Sequence, residues 1–229
     1  MQIRFHGQSC FEIHHEGYKL ILDPFLKGNP LAQTDPQAIE ADYVLVTHAH
    51  NDHVGDTVEI AKKNDATVIA PNELAVWLGW QGIKTHPMHI GGSCSFDFGR
   101  VKLTPAFHGS GYVDEEKKEI IELGMPAGIL LTLGEKTIYH AGDTALFSDM
   151  KLIGLQADVD LALLPIGDNF TMGPIDATLA AEWVGAKEVI PMHYNTFPMI
   201  EQDPHAFVEG LKPKGIRGRV LQPGEAASL

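Results

Sequence analysis

Cysteine is scarce, with Cys10 and Cys94 the only two among 229 residues. Two cysteines make no disulfide framework, and neither stands in a C-x-x-C pair of the kind that marks redox work or a structural zinc. Both read as strand residues in a reducing compartment. Long apolar runs are missing as well. No stretch approaches the roughly 20 residues needed to span a bilayer, and the start MQIRFHGQSC lacks a basic segment followed by an apolar run and a cleavage site. A cytoplasmic protein without a membrane segment is expected. Positive charge is in short supply, 17 Lys and Arg against 30 Asp and Glu, and the formal charge of −13 argues against broad nucleic-acid binding. The one basic cluster, Lys212, Lys214, Arg217 and Arg219, reads as a solvated loop leading to the last strand.

What is present suffices for a full core. Hydrophobic residues make up 44% of the chain, enough to expect one domain over residues 1–229 without cross-links. Histidine is over-supplied at 12 copies, and its placement carries the information.

Apolar alternation at Ile3 and Phe5, Phe11 and Ile13, and Leu20 and Leu22 predicts three short strands joined by tight turns. Asp23 before Pro24 ends the third. Residues 24–41 read as a loop with at most a short helical turn. Tyr43 to Val46 is a buried strand, His48 to Gly55 a polar loop, and Asp56 to Asn64 a helix capped by Asp56. Thr67 to Ala70 is a strand, and Pro71 opens a helix through Trp80. Strands follow at 83–88, 93–98 and 101–107, the last two joined across Gly99-Arg100. Residues 109–126, glycine-flanked and acidic, are either a surface excursion or a movable cover over a pocket. Further strands at 128–133, 137–140, 161–164 and 189–192 alternate with helices around 176–184 and 204–211, and Val220-Leu221 is a final strand. Strand groups with intervening helices favour a layered α/β sandwich with mixed sheets, polar turns collecting at one edge.

The chemistry concentrates in His48-Ala49-His50-Asn51-Asp52-His53, directly after a predicted strand. In a loop, these side chains can fan around closely spaced ions, and imidazole nitrogen with carboxylate oxygen suits zinc and other borderline divalent cations. His108, Asp143 and His193 each stand just beyond another apolar strand, and seven ligands suffice for two metals. Asp23 is a candidate to accept an N–H from a metal-bound histidine, or is a turn residue before Pro24. Thr47 and Thr144, flanking ligands, either hydrogen-bond backbone or ligand oxygen or, as is preferred, are local turn supports. His6 and Asp168 either meet substrate or stabilise their loops, and Tyr194 and Asn195 either contact a leaving group or hold the turn after His193. His14, His15, His86, His89, His140 and His205 take structural or surface roles, and Trp77, Trp80 and Trp183 packing roles.

THAHNDH, FHGS, AGDT and PMHY occur in this order across nearly the whole chain, and with them the sequence resembles the metallo-β-lactamase fold superfamily. HGQSCFEI and LILDP are similar to its bacterial branch of metal-dependent hydrolases, related to ascorbate-6-phosphate lactonase and N-acyl phosphatidylethanolamine phospholipase D. The resemblance implies a four-layer αββα sandwich with two mixed β-sheets and a dinuclear site at one edge. It assigns His48, His50 and His108 to one metal and Asp52, His53 and His193 to the other, with Asp143 bridging. Two ions sharing a water lower its pKa toward neutrality, so the expected reaction is attack of a bridging hydroxide on an ester, lactone, amide or phosphodiester bond, with Asp52 orienting the nucleophile.

A small-molecule substrate is preferred; Zn2+ is the expected cation, with Mn2+, Fe2+ or Ni2+ open, as is a homo-oligomer. A metal-stabilised binding or regulatory module is the alternative if the pocket is sealed. A di-iron oxidoreductase is disfavoured because the related flavin-partnered enzymes carry a carboxylate where His50 stands, and a nuclease because no basic appended domain is evident.

Overall fold

The computed structural model describes residues 1–229. Two seven-stranded mixed sheets carry the fold. The first runs Ala226–Ser228, Gln2–Phe5, Phe11–His15, Tyr18–Leu22, Tyr43–Leu45, Thr67–Pro71 and Lys84–Met88 in spatial order. The second runs Arg217–Gly218, Glu188–Met192, Leu161–Pro165, Lys136–His140, Ala127–Leu133, Gly99–Pro105 and Ser93–Phe96.

Side-chain alternation along the strands builds the layers. Leu20, Leu22, Leu45 and Ile69 of the first sheet meet Leu131, Ile138, Leu163 and Ile190 of the second in a core between the sheets. The residues in between face outward. Ile21, Val44 and Val68 pack on Ile60, Leu74 and Leu78 from helices Thr57–Asn64 and Asn72–Gly79. Tyr139, Ala162 and Val189 pack on Ile153, Ala180 and Phe207 from helices Met150–Gln156, Pro174–Trp183 and Pro204–Leu211. The result is a four-layer αββα sandwich. No helix is long and apolar enough to cross a membrane.

Strands Tyr18–Leu22, Tyr43–Leu45 and Thr67–Pro71 run parallel in one sheet, and Lys136–His140, Leu161–Pro165 and Glu188–Met192 in the other. Their carboxyl ends deliver the loops at Asp23, Thr47–His53, Asp143 and His193 to one edge, the usual place for a ligand site on such sheets.

Several local expectations are corrected. Residues 48–55 are not wholly a loop: Asn51–Val54 forms one helical turn, with Val54 N–H donating to the His50 carbonyl at 2.9 Å. Asp56 does not cap the helix after it. Its Oδ2 instead accepts from Leu26 N–H and Lys27 N–H at 2.9 and 2.8 Å, tying the 24–41 loop to the helix start. Strands Ser93–Phe96 and Gly99–Pro105 pair through a turn at Asp97-Phe98, two residues earlier than expected. Val220-Leu221 is not a strand, the terminal strands being Arg217–Gly218 and Ala226–Ser228. Cys10 lies just ahead of its strand, and Trp80 is exposed at a helix end instead of packed. The basic cluster is paired: Arg217 and Arg219 both contact the buried Glu188, at 2.8 and 2.5 Å.

Residues 109–126 contain an antiparallel hairpin, Gly111–Asp114 with Glu119–Glu122. Its near strand is moored to the histidine-rich segment. The Asn51 amide donates to the Val113 carbonyl at 3.0 Å and accepts from Val113 N–H at 2.9 Å, and Tyr112 packs on Trp77 with ring centroids 4.7 Å apart.

Candidate metal centre

The extended segment Thr47–His50 and the single turn after it place four potential ligands in one small volume. Gly55, at φ +40°, closes that turn, and a Cβ there would lie 2.4 Å from the Pro24 carbonyl oxygen. Only glycine lets the histidine-rich segment approach the Pro24-Phe25 backbone so closely.

Two groups of ligand atoms result, each with its members within 4.8 Å of one another: His48, His50, His108 and Asp143, and Asp52, His53 and His193. Asp143 belongs geometrically to both. Its Oδ2 lies 2.9 Å from His193 Nε2, 3.5 Å from His108 Nε2 and 4.0 Å from His48 Nε2, and its Oδ1 lies 3.3 Å from His53 Nε2. His48 Nε2 and His50 Nδ1 are 3.0 Å apart.

One buried carboxylate orients a histidine in each group. Asp23, fully buried, accepts from His53 Nδ1–H at 2.8 Å and from the Thr47 hydroxyl at 2.7 Å through Oδ2, and from Thr47 N–H at 2.8 Å through Oδ1. With its proton committed to Asp23, the Thr47 oxygen accepts from His48 Nδ1–H at 2.9 Å. Both imidazoles thereby turn Nε2 toward Asp143, the role such outer carboxylates serve at metal sites. Thr47 thus does more than support a turn. Thr144 remains local, accepting from Phe107 N–H and donating to the Ala145 carbonyl.

Burial alone would raise the Asp143 carboxyl, but His193 and His53 beside it outweigh that cost and hold it well below the usual carboxylate range. Burial likewise opposes charge on His53 and His193. Asp143 overrides it in both, lifting His53 well above its ordinary value and His193 to about 9. Burial lowers His48, His50 and His108. Asp52 is held low by His53 and His193 against its own burial.

The donor set fits divalent cations. His53 Nε2 and Asp143 Oδ1 are buried without a hydrogen-bond partner although they face one another, and unpartnered buried polar atoms aimed at one point are satisfied by a shared cation. An open cavity of about 430 Å³ reaches this point, lined by His50, Asn51, Asp52, His108, Asp143 and His193 together with Phe25, Phe170 and Phe197.

Other candidates fall elsewhere. His6 is buried with Nε2 3.0 Å from Glu12, Asp168 is exposed in its loop, and neither lines the cavity. Tyr194 packs in the helix-side core, its hydroxyl pushed up to about 12 by burial. Asn195 accepts from Gln202 N–H at 2.8 Å, which supports the turn. Among the other histidines, His140 holds the Ser9 carbonyl through Nε2 at 2.9 Å.

Gln8 was not singled out by sequence. Its side-chain amide donates to Asp52 Oδ2 at 2.8 Å, while its main-chain carbonyl accepts from His193 N–H at 2.8 Å, so the turn after the first strand bridges two members of one group. The only signal was its place between two predicted strands at the edge where the other loops end.

The family model described as "Beta-lactamase superfamily domain" matches residues 18–194. A UPF0173 metal-dependent hydrolase of Bacillus cytotoxicus is 63% identical over the full length of both chains, and one of Bacillus subtilis 62% identical over the same extent. The solved structure of Igni18, a metallo hydrolase from the archaeon Ignicoccus hospitalis, superposes with a TM-score of 0.90 at 35% identity, covering 99% of this chain and 97% of that one. The chain belongs to the β-lactamase superfamily and, within it, to the UPF0173 metal-dependent hydrolases.

Proposed function

We propose that the protein holds two divalent cations, Zn2+ first among them, and hydrolyses an ester, lactone, amide or phosphodiester bond of a small molecule. His48, His50 and His108 would hold one cation, Asp52, His53 and His193 the other, and Asp143 both. The observation that carries this reading is the position of Asp143, which faces histidines of both groups within 4.0 Å.

When bound, a pair of divalent cations acidifies water and stabilises charge developing on a substrate oxygen. The chain supplies the rest. Asp23 and Thr47 fix the tautomers of His53 and His48. Gln8 leaves Asp52 one carboxylate oxygen that it does not occupy, and Asp52, lining the cavity, is the group placed to orient an attacking water. The anionic Asp52 and Asp143 offset part of the cationic charge. The cavity is open at the centre, which favours turnover over the sealed pocket a non-catalytic module would need.

The test is to measure metal content of the purified protein and, in the same preparation, hydrolysis of lactones, thioesters, aryl esters and cyclic phosphodiesters with and without chelator. Two equivalents of metal and chelator-sensitive turnover are expected. Metal retention with no turnover across the panel would favour a binding module.

A further inference from the structure

Beyond the ligand cluster, the cavity is furnished for apolar contact. Three phenyl rings line it, Phe25, Phe170 and Phe197, with Phe25 and Phe197 tilted at 38° and their ring centroids 6.4 Å apart. Phe170 leaves 47% of its surface to solvent, in the loop between Leu161–Pro165 and Pro174–Trp183, where a phenyl ring gains nothing from the fold in return for its exposure. Gly55 and Gly28 leave room for Phe25: a Cβ at the first would lie 2.7 Å from its Cα and one at the second 3.3 Å from its ring.

No lysine or arginine lines the cavity. Its remaining polar surface is the ligand cluster itself and the amide of Asn51, which is already occupied by Val113. A phosphate or carboxylate on the far part of a substrate would therefore find no cation to pair with beyond the centre, and Glu122 of the neighbouring hairpin adds negative charge toward His50.

We infer that the cavity selects substrates whose scissile group reaches the cations while a neutral apolar moiety, aromatic or acyl, packs among Phe25, Phe170 and Phe197. This narrows the function proposed above and rests on it: the substrate class is a neutral apolar ester, lactone, thioester or amide, and not a phosphorylated or carboxylated metabolite. The reaction stays hydrolysis. The oxygen of water bonds to the acyl carbon, the acyl C–O, C–S or C–N bond breaks, one proton of water goes to the leaving group and the other to solvent.

The test separates recognition of the apolar part from turnover. Three hydroxamic acids sharing one metal-chelating head are titrated calorimetrically into metal-loaded protein: acetohydroxamic acid, 2-naphthylacetohydroxamic acid, and a variant of the latter with a carboxylate on the ring. Enclosing the naphthyl face makes the second bind at least about tenfold more tightly than the first, and the ring carboxylate removes most of that gain. Phe170→Ala and Phe197→Ala each shrink the naphthyl advantage severalfold while acetohydroxamate affinity stays within about twofold. A carboxylated ligand binding more tightly than the naphthyl one overturns the inference, as does a naphthyl advantage unchanged in both variants. Apolar selectivity without hydrolysis of any neutral ester overturns the catalytic function and with it the substrate class, leaving the phenylalanine-lined cavity as a binding site for neutral apolar ligands. Protein that takes up no metal overturns both.

Discussion

Asp23 and His48 do not touch, yet the Thr47 hydroxyl joins them, accepting from His48 Nδ1–H at 2.9 Å and donating to Asp23 Oδ2 at 2.7 Å. The same Asp23 oxygen accepts directly from His53. The two proposed cation positions therefore share one orienting carboxylate, and the side chain between them offers a way to perturb one position alone.

Asp23→Ala is expected to weaken both cations by tenfold to about a hundredfold and to destabilise the fold by roughly 3 kcal/mol, because buried donors on Thr47 and His53 lose their acceptor. Thr47→Val should weaken the His48 position about tenfold and leave the other near wild type. Stepwise metal titration against a competing chelator, with chemical denaturation of the metal-free variants, checks both. Equal weakening of the two positions in Thr47→Val would contradict the arrangement.

His50→Ala and Asp143→Ala should each lower turnover on the order of a thousandfold or more, because each removes a ligand at the reacting centre. Asp143→Ala should cost both cations and His50→Ala chiefly one. Circular dichroism and metal analysis on the same samples separate loss of chemistry from loss of fold, since metal and stability are linked. A purified, metal-loaded variant with wild-type specific activity would remove these residues from the centre.

Metal uptake should expel protons, and the direction follows from the buried charges. In the metal-free protein His193 is held up to about 9 and His53 is raised, so both are cationic at pH 7, whereas His48, His50 and His108 are lowered and neutral. The raised value of His193 means that the stabilisation it gives the metal-free fold is complete below the ordinary histidine value of 6.5 and is lost as pH rises through about 9, and the shift of His53 acts in the same direction. Binding of two cations at pH 7 should release the protons held by His193 and His53 in addition to the one lost by a cation-bound water, the His193 share should vanish as pH rises through about 9, and affinity should rise across that interval. Calorimetry in buffers of different ionisation enthalpy counts these protons, and release that does not change between pH 7 and 10 would contradict the assignment.

The layers of the fold were readable because alternation works on both faces of each strand: Leu20 and Leu22 turn to one core, Ile21 to another. The ligand set was readable because its residues are chemically distinctive and stand at strand ends. Asp23 shared the second property, but its partner His53 is 30 positions away, so sequence could not decide between an orienting role and a turn. Gln8 lay beyond reach, and Thr47 reads chiefly as a turn residue, for a related reason. An amide and a hydroxyl are ordinary turn residues until folding brings Asp52 and Asp23 against them. The helical turn Asn51–Val54 was missed because four residues give no periodicity to detect, and Asp56 misled because the same carboxylate that can cap its own helix was taken by the backbone of a distant loop.

The hairpin over the histidine-rich segment has a definite attachment, and that attachment can be released. Asn51 exchanges two hydrogen bonds with the Val113 backbone, a contact that joins the edge of the cavity to Gly111–Asp114. The hairpin's other anchorage lies at its base and on one face: Ile120 is 68% exposed and Val113 37% exposed, while Tyr112 on Trp77, Ile121, the buried Leu123 and the Ser110 hydroxyl, which accepts from Ala49 N–H at 3.2 Å, tie it to the core. Such a segment opens at low free-energy cost independently of the sheets. In Asn51→Ala, loss of two bonds of about 1 kcal/mol each should speed amide exchange across residues 111–122 by about tenfold or more, while protection in the central strands Tyr43–Leu45 and Leu161–Pro165 is unchanged. Hydrogen–deuterium exchange resolved by peptide measures this. Uniform acceleration over the whole chain would mean that Asn51 stabilises the fold at large, and no acceleration would mean that the hairpin is fixed by its own strand pairing and the Trp77 contact.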